Sequence, residues 1–338
     1  MKIFVAGGAG YIGSHMVHEL VKNGHEVVVY DSLIYGHKEA LPPECKLIIG
    51  DLVDTEKIEK IFEEGFFDAA MHFAAFISMG ESMENPRIYF RNNVFNTLNL
   101  IDTLVKFQVH KFIFSSSAGV YGNPVKLPIP EDHPTNPTNP YGDTKLMVEK
   151  ILKWYDISYG LKSVCLRYFN AAGASLDGQN GEAHDPETHI IPNAFKVVLG
   201  QKDYFELFGN DYPTADGTCI RDYIHVLDLV DSHLKALDYL KDNGKSTIYN
   251  VGTGKGYSNR EVLNMVKKIS KVDFKIEENP RRPGDANELV ADPSKIKKEL
   301  GWTPQYSDLE TIVKTAWTWH QSHPEGYSTE RAQRVKVL

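Results

Sequence analysis

Residues 2–15 read KIFVAGGAGYIGSH, and few stretches of this length restrict a fold more. A β-branched apolar run ends on glycine, and a helical pattern follows within a few residues. The glycines at 7, 10 and 13 are spaced GxxGxxG. A tight strand-to-helix turn needs a residue tolerant of positive φ. A second glycine lets backbone approach a pyrophosphate, and a third lets the helix pack closely on the sheet. The helix N-terminus then faces the anion with unpaired N–H donors and the positive end of its dipole. Because strand and helix flank the triplet in the required order, a dinucleotide site at Gly7, Gly10 and Gly13 is predicted.

The alternation continues. EVVVYD (26–31), KLIIGD (46–51), DAAMHFA (68–74), KFIFSS (111–116) and SVCLRYF (163–169) read as further strands. They are almost wholly apolar, as a parallel sheet covered on both faces requires. Helical patterns fall at 11–23, 54–64, 86–108 and 140–159. Strands alternating with helices predict an α/β fold, a Rossmann-type doubly wound parallel sheet. After Asn170 the texture turns polar and glycine-rich, then to shorter mixed elements. The expected division is a Rossmann domain over 1–175 and a smaller mixed α/β substrate-binding domain over 176–338. Return crossings to the first domain are expected from about 215–250, around DYIHVLDLVDSHLKAL.

Composition narrows the function classes. With 42% hydrophobic and 24% charged residues among 338, the chain has the makeup of a soluble protein with a large core. No apolar run is long enough to cross a bilayer, so no membrane partner is expected. The N-terminal apolar run is too short for a signal peptide. Cys45, Cys165 and Cys219 lie far apart without CxxC spacing, which argues against a disulfide framework or a zinc site. No metal is expected, and the compartment is expected to be reducing and cytoplasmic. The formal net charge of −8 disfavours a nucleic-acid partner, and the basic tail RAQRVKVL reads as a solvated terminus.

Asp31 ends the second strand, where a carboxylate accepts from both hydroxyls of an adenosine ribose and repels a 2′-phosphate; the cofactor predicted is NAD. Asp51 and Leu52 end the third strand, placed for the adenine. In NPYGDTKLMVEK (139–150), Tyr141 and Lys145 stand four apart behind Asn139-Pro140, a cap and first-turn proline. At i and i+4 they share a helix face. A free phenol has a pKa of about 10, too high for a base at neutral pH, and a nearby ammonium lowers it. FSSSAGVYG (114–122) ends the fifth strand on the sheet edge where ligands bind, and supplies a serine to share the proton.

Together the glycine turn, HFAA (72–75), SSSAGVYG, YxxxK and RYFN (167–170) resemble the extended short-chain dehydrogenase/reductase family. FGNDYPTADGTCIRDYIHVLDL (208–229) and RRPGD (281–285) are similar to its UDP-glucose 4-epimerase branch, over almost the whole chain. That resemblance implies Tyr141 as base, Lys145 lowering its pKa and holding the nicotinamide ribose, and Ser117, third of the serine run, as the catalytic hydroxyl. It carries cofactor contacts to Tyr11, Ile12, Asp31, Asp51, Leu52, Phe73, Ala74, Ala75, Asn92 and Phe169. A lysine common in the family is replaced here by Ile77. For a UDP-hexose it implies Asn170, His189, Ile190, Phe208, Arg221, Arg282 and Asp285, beside Ser117 and Tyr141. The two arginines suit a diphosphate as bidentate donors.

The implied reaction interconverts UDP-galactose and UDP-glucose through a 4-keto sugar, with NAD regenerated in each cycle. Leu289 falls where the family's pocket wall lies; its modest size leaves room for an N-acetyl group, hence UDP-GlcNAc and UDP-GalNAc as further substrates. A homodimer through the helices near 86–108 and 140–159 is implied, with Val94, Leu98, Ile101 and Val105 along one face, although that face is equally suited to cover the sheet. Other readings are a related nucleotide-sugar epimerase or dehydratase, or a non-catalytic NAD-sensing regulator. A 4,6-dehydratase carries an Asp-Glu pair after the strand-five hydroxyl, whereas Ser117 is followed by Ala118-Gly119. A sensor often loses the tyrosine or the lysine, and both are present.

Overall fold

The computed structural model describes residues 1–282 and 284–327; Pro283 of the RRPGD motif and the basic tail at 331–338 lie outside the described residues. The first half runs β1 (Lys2–Ala6), α1 (Tyr11–Lys22), β2 (Glu26–Asp31), β3 (Lys46–Ile49), α2 (Thr55–Glu63), β4 (Ala69–His72), α3 (Met79–Glu84), α4 (Pro86–Tyr89), α5 (Asn96–Lys106), β5 (Lys111–Ser117), α6 (Pro140–Tyr159) and β6 (Lys162–Tyr168). The second runs β7 (Asn170–Ala172), α7 (Ile190–Val198), β8 (Phe205–Phe208), β9 (Ile220–His225), α8 (Val226–Lys241), β10 (Thr247–Val251), β11 (Gly256–Ser258), α9 (Asn259–Ser270), β12 (Ile276–Asn279), β13 (Glu288–Leu289), α10 (Ser294–Leu300) and α11 (Leu309–Ser322).

Seven parallel strands form the main sheet in the order β10-β6-β5-β4-β1-β2-β3. The doubly wound fold read from the apolar runs is present, and the order reverses between β1 and β4, the switch point where such sheets bind ligands. On one face Met16, Val17 and Leu20 of α1 pack with Leu229 and Leu237 of α8 and with Trp302. On the other, Ile58 and Phe62 of α2, Leu100, Ile101 and Leu104 of α5, and Val148 and Leu152 of α6 cover the strands. Thus α8 and β10 return from the second half of the chain to the first sheet, and α10 packs against them. Strands β7, β11 and β13 pair with β9 in a smaller sheet, β8 pairs with β12, and α7, α9 and α11 enclose a third core. Among the described residues no helix is long and apolar enough to cross a membrane.

The helix expected at 86–108 runs without interruption through 86–106 but changes geometry within it. Between α4 and α5 the turn at Phe90–Phe95 widens to π geometry. Its cause is tertiary: the buried Asn93 side chain accepts from the Phe76 N–H at 2.9 Å, donates to the Phe76 carbonyl at 2.9 Å, and donates to the Thr144 hydroxyl. An extra residue in one turn aims an asparagine inward at a loop it would otherwise pass. Of the face Val94, Leu98, Ile101 and Val105, Ile101 is fully buried in the core under α5, with Val94 and Val105 packed against that core, which matches the second of the two uses expected for it.

A buried ion pair fastens α6 to the sheet. Arg167 on β6 meets Glu149 with two parallel bonds, Nε to Oε1 at 2.9 Å and Nη2 to Oε2 at 2.7 Å. The Ser116 hydroxyl donates to the same carboxylate, and Arg167 Nη1 donates to the Tyr121 hydroxyl, which donates to Asn250 on β10. Two charges removed from water are tolerated because their bonding groups are saturated. Deleting one alone leaves the other stranded, at about 3–5 kcal/mol. Arg167→Met is therefore expected to lower unfolding free energy in urea by that amount, and Arg167→Met with Glu149→Leu to recover most of it. A single-variant loss under about 1 kcal/mol would mean that the pair is not a clamp.

Candidate active site

The turn from β1 to α1 is closed by glycines. Gly7 has φ +76°, and a Cβ there would lie 2.3 Å from the Ala74 nitrogen; a Cβ on Gly13 would lie 2.2 Å from the Gly7 carbonyl oxygen. No side chain caps α1 at Gly10, so the first N–H groups of α1 point, uncapped by any side chain, toward the cavity above the sheet. At the end of β2, Asp31 accepts from Ala9 N at 2.9 Å and Leu33 N at 2.8 Å. Burial pushes its carboxyl up, and the two N–H bonds oppose that. One lone pair remains on each oxygen for a diol.

A cavity of about 480 Å³ runs along the C-terminal ends of the strands and reaches residues of the second half of the chain. Its wall takes in Gly7, Gly10, Tyr11, Ile12, Gly13, Asp31, Asp51, Leu52, Phe73, Ala74, Ala75, Asn92 and Phe169. Every residue predicted to hold the cofactor thus meets one space, and Ile77 lines it where a lysine was expected. The Tyr11 hydroxyl is committed elsewhere, donating to the Gly173 carbonyl at 2.7 Å. Donors at a helix N-terminus, a cradle that any Cβ would fill and a strand-end carboxylate fit a dinucleotide.

At the centre of the wall stand Ser117, Tyr141 and Lys145. The Asn139 side chain caps α6 by accepting from Gly142 N at 2.9 Å, with Pro140 in the first turn. The helix start lies hard against the turn after β5: a Cβ on Gly142 would lie 2.4 Å from the Gly119 carbonyl oxygen. This contact brings Tyr141 beside Ser117, whose hydroxyl draws the phenol's pKa down. Lys145 donates to the Ser115 carbonyl at 2.8 Å and lies 5.9 Å from the Tyr141 ring centre.

The electrostatics depart from the expectation of a phenol already lowered by the ammonium. Burial pushes Tyr141 up, and only the Ser117 bond pulls it down. Burial likewise lowers Lys145 to about 7, against the attraction of Glu149 one turn along. Both groups are enclosed, and the ammonium is bonded to a carbonyl rather than to the phenol, so desolvation wins.

Of the residues expected to hold the sugar nucleotide, Asn170, His189, Arg221, Asp285 and Leu289 line the same cavity. Arg221 Nη2 lies 3.8 Å from Asp285. Ile190, Phe208 and Arg282 do not reach the wall. Ile190 opens α7 and packs on the third core. The exposed Arg282 stacks its guanidinium 4.2 Å from the centre of the Phe208 ring.

Sequence reasoning missed a group in the loop before α7. Glu182, His184, Glu187 and His189 bring one ligating atom each within 4.8 Å of one another. Burial would lower the His189 ring, but Glu182 and then Glu187 more than reverse this, to about 9. The available signal was the spacing ExHxxExH.

Fold and site define an extended short-chain dehydrogenase/reductase with a nucleotide-sugar cavity. The family model described as GDP-mannose 4,6 dehydratase matches residues 4–315. A UDP-glucose 4-epimerase of Lactobacillus helveticus is 49% identical over 97% of this chain and 99% of its own. The solved structure of UDP-glucose 4-epimerase from Brucella ovis in complex with NAD is 44% identical, with TM-score 0.91 over 94% of this chain and 98% of that one. The UDP-Glc/GlcNAc 4-epimerase from Campylobacter jejuni is 45% identical, with TM-score 0.83 over 95% and 99%. The chain belongs to the UDP-glucose 4-epimerase family.

The depressed Lys145 gives a pH prediction. Between pH 7 and its ordinary value of about 10.5 the unfolded chain holds the proton that the folded chain has released. The cost of burying the ammonium is complete below pH 7 and falls as pH rises. Lys145→Met is expected to raise the melting temperature of cofactor-free protein, by more at pH 6 than at pH 9. A gain that grows with pH would contradict the assignment.

Proposed function

We propose that the chain interconverts UDP-galactose and UDP-glucose by inverting C4 of the hexose, with NAD retained from cycle to cycle. The observation that carries this is the meeting of Ser117, Tyr141 and Lys145 with the glycine turn and with Arg221 in one cavity. NAD held by these residues would supply positive charge and a reversible hydride acceptor for C4. Gly7, Gly10 and Gly13 make room for its pyrophosphate, and Asp31 for its adenosine ribose. Tyr141 holds and returns the proton of the C4 hydroxyl, and Ser117 bonds the same oxygen as its charge changes. Lys145, behind the phenol, orients the nicotinamide ribose and favours the phenolate once charged. Arg221 holds the diphosphate and Asp285 the uridine ribose. An anchor at the nucleotide with few fixed contacts to the hexose lets the 4-keto sugar turn and present its other face.

Leu289 on the wall supports a second substrate pair, UDP-GlcNAc and UDP-GalNAc, because that position carries a leucine and not a large aromatic side chain. The family's homodimer is supported by a different face from the one first expected: Phe95, Trp154 and Ile157 are exposed apolar side chains on the outer surface of the same helices. Sedimentation should show a dimer that Trp154→Glu weakens; a monomeric wild type removes that reading.

Purified protein without added NAD is expected to convert UDP-galactose to UDP-glucose. Tyr141→Phe should lower kcat by about 10²–10⁴-fold while the cofactor stays bound. Turnover of UDP-GalNAc is expected in the same assay, and an undetectable rate removes the acetylated pair alone. Absence of turnover in protein still carrying NAD would leave the sensing regulator instead.

A further inference from the structure

The loop between β7 and α7 carries the four side chains that neither the hydride chemistry nor the nucleotide anchor uses as a set. It is held from three sides. Tyr11 of the glycine turn donates to the Gly173 carbonyl, Ser14 and Asn180 bond one another, and Trp319 of α11 donates to the Glu182 carbonyl at 3.1 Å. The loop thereby joins the cofactor turn to α11, and His184, Pro186, Thr188 and His189 form part of the cavity wall.

Within it, Glu182 and Glu187 are two carboxylates with side chains only 5% and 2% exposed. His184 Nδ1 stands 3.0 Å from Glu182 Oε1 and 3.9 Å from Glu187 Oε2. That nitrogen is buried and makes no well-formed hydrogen bond. His189 Nδ1 contacts Glu182 Oε1 and stands 3.7 Å from Glu187 Oε1. Both rings therefore turn Nδ1, not Nε2, toward the space between the carboxylates. The Glu187 carboxylate is oriented by the N–H groups of Thr188 at 2.8 Å and His189 at 2.9 Å.

We propose that Glu182, His184, Glu187 and His189 form a structural site for a divalent transition-metal ion, zinc by its donor set, that clamps this wall of the cavity. Two imidazoles and two carboxylates give a neutral four-coordinate site with Zn²⁺. Bonds of about 2.0–2.2 Å put neighbouring tetrahedral ligands about 3.3–3.6 Å apart. The four donor atoms lie within 4.8 Å of one another, so a bound ion would draw the widest-spaced side chains together to complete the shell. Imidazole nitrogen in half of the positions selects zinc over magnesium or calcium, which take oxygen. Oriented carboxylates and the Trp319 bond to the Glu182 backbone are the supporting contacts such sites use. The alternative occupant of the same geometry is protons shared between the rings and the carboxylates.

The two are separated on full-length, tag-free protein stripped with a chelator and then titrated with Zn²⁺ or Co²⁺ alone. The proposal expects one tightly held ion per chain, the visible absorption of tetrahedral cobalt without a thiolate charge-transfer band, and a melting temperature that rises with free zinc. His184→Ala with Glu187→Gln should abolish all three, and His189→Ala alone should weaken zinc at least tenfold. If wild type binds no stoichiometric ion, or its cobalt spectrum is octahedral or shows thiolate ligation at Cys45, Cys165 or Cys219, the site is the proton-filled pair network and the proposal fails. The wild-type titrations decide between the two occupants even where a variant fails to fold.

Discussion

The site depends on how closely α6 comes to the end of β5. Gly142, in the first turn of the helix, lets its backbone touch the Gly119 carbonyl after the strand, where a Cβ would collide. The Asn139 cap sets the angle of entry, and two turns further along Glu149 locks the helix through Arg167 and Ser116. Tyr141 and Lys145 lie between these fixed points. Their positions follow from the docking of the whole helix, to which the Lys145 bond to the Ser115 carbonyl adds.

The same docking creates an electrostatic tension. Enclosing a phenol and an ammonium disfavours the charged form of each, and burial raises one and lowers the other. Catalysis needs the opposite on both counts. The Ser117 bond and the Glu149 carboxylate push in the useful direction but do not prevail. A proton acceptor that is poor until the cavity fills is consistent with chemistry confined to the loaded site. The positive charge that restores the balance comes with the ligand.

Much of this was legible from the chain. The six apolar runs are strands because a parallel sheet buried on both faces admits little else. The glycine triplet, Asp31 and the Tyr141–Lys145 spacing reach one cavity because the doubly wound topology gathers strand ends. Less visible was whatever depends on partners distant in sequence. Asn92 and Asn93 look like ordinary helix positions, and only the bonds to Phe76 and Thr144 explain the widened turn. Periodicity marked Val94, Leu98, Ile101 and Val105 as one apolar face, without telling the sheet from a second subunit. Arg282 carried the charge expected of a diphosphate ligand, but charge does not disclose that Phe208 holds it. The four ligands before α7 are two imidazoles and two carboxylates, so cysteine spacing gives no sign of them.

The central claim is that the Tyr141 oxygen becomes the proton acceptor when the cavity is filled. The direct measurement is the near-ultraviolet phenolate absorbance of NAD-loaded protein against pH, taken as wild type minus Tyr141→Phe. One phenol is expected to titrate well below the ordinary value of about 10 in loaded protein, and above it in cofactor-free protein. A difference titration at or above that value with the cofactor bound would contradict the claim.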